Sequence, residues 1–191
     1  MMYPPAPWHL RGQMYLSVFL VRTADLPPLP PGVRPLSIAG RVPVGAAWVD
    51  YEPGGSLDYR ELLAAVLTRA ALRPRVTITD IWVDSPASRD GGRELWAIPK
   101  ELATLAISPP SAGAAGIGTA DIAVRGRTLP GRWPTPMTLA QDGITTRVRG
   151  TAALRPARLT WHLDPAGALG WLSGRRPVFS LVLAAFRMRF G

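Results

Sequence analysis

The chain contains no cysteine, one lysine and two histidines. Without cysteine there is no disulfide framework, no thiolate nucleophile and no Cys-based zinc site. His9 and His162 are too few for a histidine-rich metal centre, and neither stands beside a nucleophile elbow, so no Ser-His-Asp assembly is visible. Long apolar runs are missing as well. Residues 15–21 and 178–186 are too short to span a bilayer, and the Pro-rich, uncharged residues 1–8 carry no targeting pattern, so no membrane partner and a cytoplasmic location are expected. Acid is scarce: 13 Asp and Glu stand against 22 Lys and Arg, a net charge of +9. Such a charge can attract nucleic acid, but here most of the arginines are scattered singly or spaced by two (Arg73 and Arg75, Arg125 and Arg127, Arg147 and Arg149, Arg187 and Arg189). That is the spacing of one solvated strand face, and no nucleic-acid partner is expected.

What is present suffices for a core. At 191 residues and 47% apolar content the sequence reads as one domain over residues 1–191. Residues 12–22 read as a first strand, rich in aromatic and β-branched side chains, followed by a Pro-Pro-Leu-Pro-Pro-Gly connector too short of amide donors for helix or central strand. A second strand over 42–52 ends at the turn Pro53-Gly54-Gly55-Ser56. Residues 58–72 have the Leu and Ala content of a helix but also an alternation that fits a strand. Residues 75–84 are a strand, 85–92 a polar turn, and 94–98 a short helix stopped by Pro99. Residues 104–119 predict loops around at most one short strand. Their Gly113-Ala-Ala-Gly116-Ile-Gly118 lacks the spacing of a phosphate-binding loop and reads as a connector. From Asp121 onward strand follows strand, each with one apolar and one basic wall, as in Phe186, Met188 and Phe190 against Arg187 and Arg189; His162 falls on a polar face. The pattern predicts a mostly β fold, with an antiparallel sheet that is closed or double-layered.

Two clusters invite chemistry. Asp50, Glu52, Asp58 and Glu61 lie close together, but acids flanking a Pro-Gly-Gly turn are usually hydrated turn residues rather than a glycosidase pair. Lys100 is the other, the one primary amine among 21 arginine side chains. It is either a survivor of compositional bias or a nucleophile, since lysine, unlike arginine, can lose its proton and attack a carbonyl carbon.

Residues 92–100, Gly-Arg-Glu-Leu-Trp-Ala-Ile-Pro-Lys, resemble the Gly-Arg-Glu…Pro-Lys signature of the acetoacetate decarboxylase family, and Tyr59-Arg60-Glu61 resembles its Tyr-x-Glu segment. Order and spacing agree over roughly the first 105 residues, and beyond Thr104 the run of strands agrees in pattern. The resemblance implies an antiparallel, cone-like β-barrel with a Schiff-base lysine inside, usually in a homo-oligomer. It also assigns residues 59–68 to a strand, whose alternation points Tyr59, Glu61 and Leu63 into the cavity.

On that basis Lys100 and Glu61 are the expected catalytic residues, and Tyr59, Trp96, Gln13 and Arg11 the expected substrate-binding ones. Lys100 would condense with a small keto acid, and the protonated imine would serve as electron sink, so neither metal nor organic cofactor is implied. The chain departs from the family pattern at three places. Glu101 follows Lys100 where family decarboxylases carry a second lysine; Gln13 or Met14, with Arg11 nearby, stands where a substrate-reading arginine is expected; and Ala46 stands where a second acid is expected. A carboxylate beside the ammonium favours its charged form, so Glu101 must point away for Lys100 to act. Three readings remain: decarboxylation of a β-keto acid, another Schiff-base reaction such as an aldolase or dehydratase on keto acids, or a barrel that binds a ligand without catalysis.

Overall fold

The computed structural model describes residues 3–71 and 73–191, so Met1 and Leu72, which end two of the segments above, lie outside the described residues. The main strands are β1 (Trp8–Arg22), β2 (Arg41–Tyr51), β3 (Tyr59–Ala70), β4 (Arg73–Val83), β5 (Leu105–Ser108), β6 (Ser111–Ala114), β7 (Gly118–Val124), β8 (Met137–Gln141), β9 (Ile144–Leu163) and β10 (Phe179–Phe190). The α-helix among the described residues, α1 (Pro86–Trp96), lies between β4 and β5. The sheet runs in the order β8-β4-β3-β2-β1-β10-β9-β7-β6-β5, and β8 also pairs β9, so the first seven strands close into a ring. Neighbours are antiparallel except at the β4–β8 seam, where Leu139 meets Val76 in a single parallel pair.

Two apolar cores result. One fills the ring with Trp8, Val49, Tyr59, Ile81, Leu139, Val148 and Phe186. The other lies outside it, where β5 to β7 and the end of β9 fold over the outer faces of β1, β2 and β3. Double burial explains why residues 58–72 looked helical. Leu62, Ala64 and Val66 enter the outer core while Tyr59 and Ala65 enter the ring, so apolar residues run consecutively along β3. β3 is a strand, as the resemblance required.

Three expectations change. Residues 85–92 are not a turn. Ser85 caps α1 by accepting a hydrogen bond from the Ser88 N–H at 3.3 Å, and Pro86 occupies the first turn. The polar, Gly-Gly-containing composition masked these start signals. Residues 104–119 hold two short strands and the start of a third, because small residues suffice where the outer core is thin. The alternations at 144–149 and 158–163, which read from sequence as part of the run of strands after Asp121, belong to one 20-residue strand, β9, which spans both layers.

The β4–β8 seam is closed by a side chain standing in for a strand neighbour. The Gln141 carboxamide accepts from the Ile78 N–H at 3.0 Å and donates to the Ile78 carbonyl at 2.7 Å, while the Thr77 hydroxyl donates to the Ala140 carbonyl at 3.1 Å. Gln141 is buried, so Gln141→Leu would leave both groups of the Ile78 peptide unpaired. It is expected to lower unfolding stability by about 2–4 kcal/mol, read from urea denaturation.

Candidate active site

Lys100 reaches the ring interior by a local reversal of the chain. α1 ends at Trp96, and Ala97 adopts the left-handed conformation (φ 52°), with the Ile98 N–H donating to the Gly92 carbonyl at 3.1 Å. The chain then turns at Pro99 and sends Lys100 back along its own helix. Gly92 makes the passage possible, because a Cβ there would stand 2.7 Å from Lys100 Cδ and 2.9 Å from Cε. Gly91 does the same for the Trp8 ring, at 2.6 Å. Arg93 fastens the reversal from outside, its Nε donating to the Lys100 carbonyl at 2.6 Å and its guanidinium pairing with Glu101. Glu101 is therefore turned to solvent and away from the amine.

The amine itself is buried, with its residue 4% exposed. Nζ donates to Glu61 Oε2 at 2.9 Å, to Ser88 Oγ at 2.9 Å and to the Tyr59 hydroxyl at 3.2 Å, which uses all three ammonium protons. The second Glu61 oxygen accepts from the Tyr51 hydroxyl at 3.2 Å, and the Tyr51 and Tyr59 rings stack with centroids 4.3 Å apart. Lys100, Glu61, Tyr51 and Tyr59 border a cavity of about 60 Å³ whose other walls include Met14, Leu63, Ile81, Trp96 and Phe190. Among the described residues, Lys100 is the one cation lining it.

Burial alone would pull the Lys100 pKa down, but the Glu61 charge, the nearby Tyr59 and the hydrogen bonds that the amine donates to both outweigh it and hold the amine above its ordinary 10.5. Burial, with the Glu61 carboxylate adding to it, pushes the Tyr51 hydroxyl well above the usual tyrosine value. Tyr59 is also raised by burial, against the pull of Lys100. The resting site is thus an ammonium–carboxylate pair, and the opposing acid is Glu61 rather than the Glu101 that the sequence singled out.

Of the residues expected at the site, Lys100, Glu61, Tyr59 and Trp96 border this one cavity. Gln13 and Arg11 do not. Gln13 points outward, donating to Glu52 Oε1 at 3.0 Å and accepting from the Ala185 N–H at 3.0 Å, where Ala185 bulges out of β10 with φ 46°. Arg11 is exposed beside Gly54. Of the two positions considered for the family arginine, it is Met14 that faces the cavity. Ala46 lies in the outer core, so it cannot mark the place of a missing acid in the site. Ser88 and Tyr51 were not foreseen. Tyr51 was legible in principle, since a hairpin about Pro53 to Ser56 sets Tyr51 opposite Tyr59 and Val49 opposite Glu61. Ser88 stands four residues before Gly92, one helical turn away on the same face, which becomes visible only once residues 86–96 are known to be helix.

Gly92→Ala separates these contributions. Alanine favours helix by about 1 kcal/mol over glycine, so the fold should hold, while the lysine stem must swing away from the new methyl group. A fall of roughly 10²-fold in the rate of amine reaction with a carbonyl probe is expected, with a thermal midpoint lowered by less than that of a variant lacking the Lys100 amine, because the helix gain offsets part of the crowding.

Comparison with known proteins gives one family. The family model for acetoacetate decarboxylase (ADC) matches residues 4–129. An acetoacetate decarboxylase from Legionella pneumophila subsp. pneumophila str. Philadelphia 1 superposes with a TM-score of 0.67 at 17% identity, over 99% of this chain and 86% of its own. An acetoacetate decarboxylase-like enzyme from Sphingomonas wittichii RW1 does so with 0.64 at 16% identity, over 100% and 92%. The enduracididine biosynthesis enzyme MppR, complexed with the condensation product of pyruvate and imidazole 4-carboxaldehyde, gives 0.62 at 16% identity, over 99% and 88%. At these identities the likeness carries the fold alone. No curated relative matches the chain.

Proposed function

The chain belongs to the acetoacetate decarboxylase family, and from that premise we infer that it decarboxylates a small β-keto acid through an imine on Lys100. The observation that carries this reading is the buried 2.9 Å contact between Lys100 Nζ and Glu61 at the wall of a largely apolar cavity.

Glu61 takes a proton from the ammonium and leaves a neutral amine. Nζ attacks the keto carbon, and the carbinolamine loses its oxygen as water with the proton that Glu61 returns. The resulting iminium accepts the electron pair of the breaking carbon–carbon bond, carbon dioxide leaves, and a neutral enamine remains. A proton from solvent, relayed by Glu61, goes to the enamine carbon; water then hydrolyses the iminium and frees the ketone and the lysine. One proton is consumed per turnover, as the conversion of a keto carboxylate to ketone and carbon dioxide requires. In the resting site Ser88 and Tyr59 accept from Nζ and fix its position beside Glu61; the one N–H that remains in the iminium can donate to either of them in turn.

The charge balance favours decarboxylation over a reaction that keeps its carboxylate. Lys100 is already paired with Glu61, and no other cation lines the cavity among the described residues. A substrate carboxylate there is poorly solvated, and decarboxylation alone removes that charge. MppR, which holds a pyruvate condensation product, motivates the aldol-type alternative. The homo-oligomer and cytoplasmic setting expected from the sequence go with either chemistry.

Borohydride trapping is the test. Incubation with acetoacetate and borohydride should add one substrate-derived mass at Lys100, and wild-type protein should release carbon dioxide. Trapping of pyruvate with no carbon dioxide from any β-keto acid would favour the aldol-type reading; no adduct with any keto acid would defeat both.

A further inference from the structure

The ring carries a second hollow on its outside at the β4–β8 seam, of about 400 Å³. Arg75 from β4 and Arg147 and Arg149 from β9 line it, together with Val76, Met137 and Val148. No carboxylate lines it, and among the described residues none of the three guanidiniums is within 4.0 Å of an acid. Met137 lines both this hollow and the Lys100 cavity and is itself 37% exposed, so the two hollows meet at one side chain. Methionine is unbranched and adapts its shape readily, and the backbone here is joined by one ladder pair.

We propose that this seam is the mouth of the active site, and that Arg75, Arg147 and Arg149 bind a distal oxyanion, carboxylate or phosphate, of a substrate whose keto group has passed Met137 to reach Lys100. The proposal rests on the imine reading and narrows its substrate class from a simple β-keto acid to one with a second anionic end. Size supports it. The inner cavity of about 60 Å³ has room for the reacting carbons, and the outer hollow for the rest. Charge supports it too, since the inner cavity leaves no free cation for an anion whereas the outer hollow offers three fork-shaped donors suited to oxyanions.

The test compares β-oxosuberate with β-oxooctanoate, which has the same chain without the distal carboxylate, by borohydride trapping at Lys100, and adds calorimetric titration with inorganic pyrophosphate. In the wild-type protein β-oxosuberate should reach half-maximal trapping at a concentration at least about tenfold lower, as expected for charge-assisted pairing. Arg147→Gln/Arg149→Gln should erase that difference and leave acetoacetate trapping unchanged. Arg125→Gln/Arg127→Gln, which removes the same charge from an exposed loop, should retain it. Pyrophosphate binding lost in the first variant and kept in the second assigns a phosphate-bearing substrate even where the carboxylate shows no preference. No preference and no pyrophosphate binding, or effects equal in both variants, would overturn the proposal. If no keto acid is trapped, the imine reading has failed, and pyrophosphate alone decides whether the seam is an oxyanion site.

Discussion

Lys100→Met is expected to leave a folded protein with no trappable amine and turnover at least about 10⁴-fold lower, the scale on which losing a covalent nucleophile is felt. Methionine can follow the same path over Gly92, with Trp96 and Ile98 beside it, so packing survives. Stability does not survive intact. Glu61 is 3% exposed, and stripped of its counter-charge it should cost about 3–5 kcal/mol in urea denaturation. The double variant Lys100→Met/Glu61→Gln removes both charges and should recover most of that loss while recovering no activity. That split distinguishes a nucleophile from a lysine kept for structure, since a structural lysine would be silent in the trapping assay and would lose function only as far as it lost fold.

Glu61→Gln should act on the pH profile. In the parent, the Glu61 charge, Tyr59 and the hydrogen bonds to both together outweigh burial and hold the Lys100 pKa above 10.5, so the cluster contributes stability that is fully present below pH 10.5 and is lost as pH rises through the raised value. With glutamine, burial, the largest influence on the amine, is opposed by Tyr59 without the Glu61 charge, and the amine pKa is expected to fall below its unfolded value. The sign then reverses. Between the depressed pKa and 10.5 the unfolded chain binds more protons, so the variant becomes more stable as pH rises. Imine trapping should accordingly begin at lower pH than in the parent, whereas turnover, deprived of its proton carrier, should fall by about 10²–10⁴-fold. A profile unmoved by the substitution would show that Glu61 does not set the protonation of Lys100.

How far the sequence anticipated this site depended on where each strand is buried. Strands with one wet wall announce themselves: Arg187 and Arg189 alternate with Phe186 and Met188, and β10 lies where the pattern put it. Strands buried on both walls do not, and β3 needed the Tyr-x-Glu resemblance to be separated from a helix. The lysine signature was legible because its local geometry is demanding: glycine for the passage of the lysine stem, arginine for the reversal and proline before the amine. Gln13 and Met14 show the limit of such reading. Neighbouring residues on a strand face opposite sides, so a one-residue uncertainty in register exchanges a cavity wall for an outer hydrogen bond to a bulge. The seam was invisible for a related reason, because β4 and β8 meet through two side chains, Gln141 and Thr77, and one ladder pair rather than through a repeating pattern.

The burial of the one lysine has a consequence for how this molecule meets its chemical surroundings. Its 21 arginines give it a cationic coat that contains no side-chain amine, so acylating reagents, aldehydes and lysine-directed ligases find no lysine target on the folded surface. The slow labelling of Lys100 by a small amine-reactive ester therefore becomes a clock for transient opening. Its rate, divided by that of a free lysine, gives the fraction of time the ring stands ajar, and Gln141→Leu should make that clock run faster.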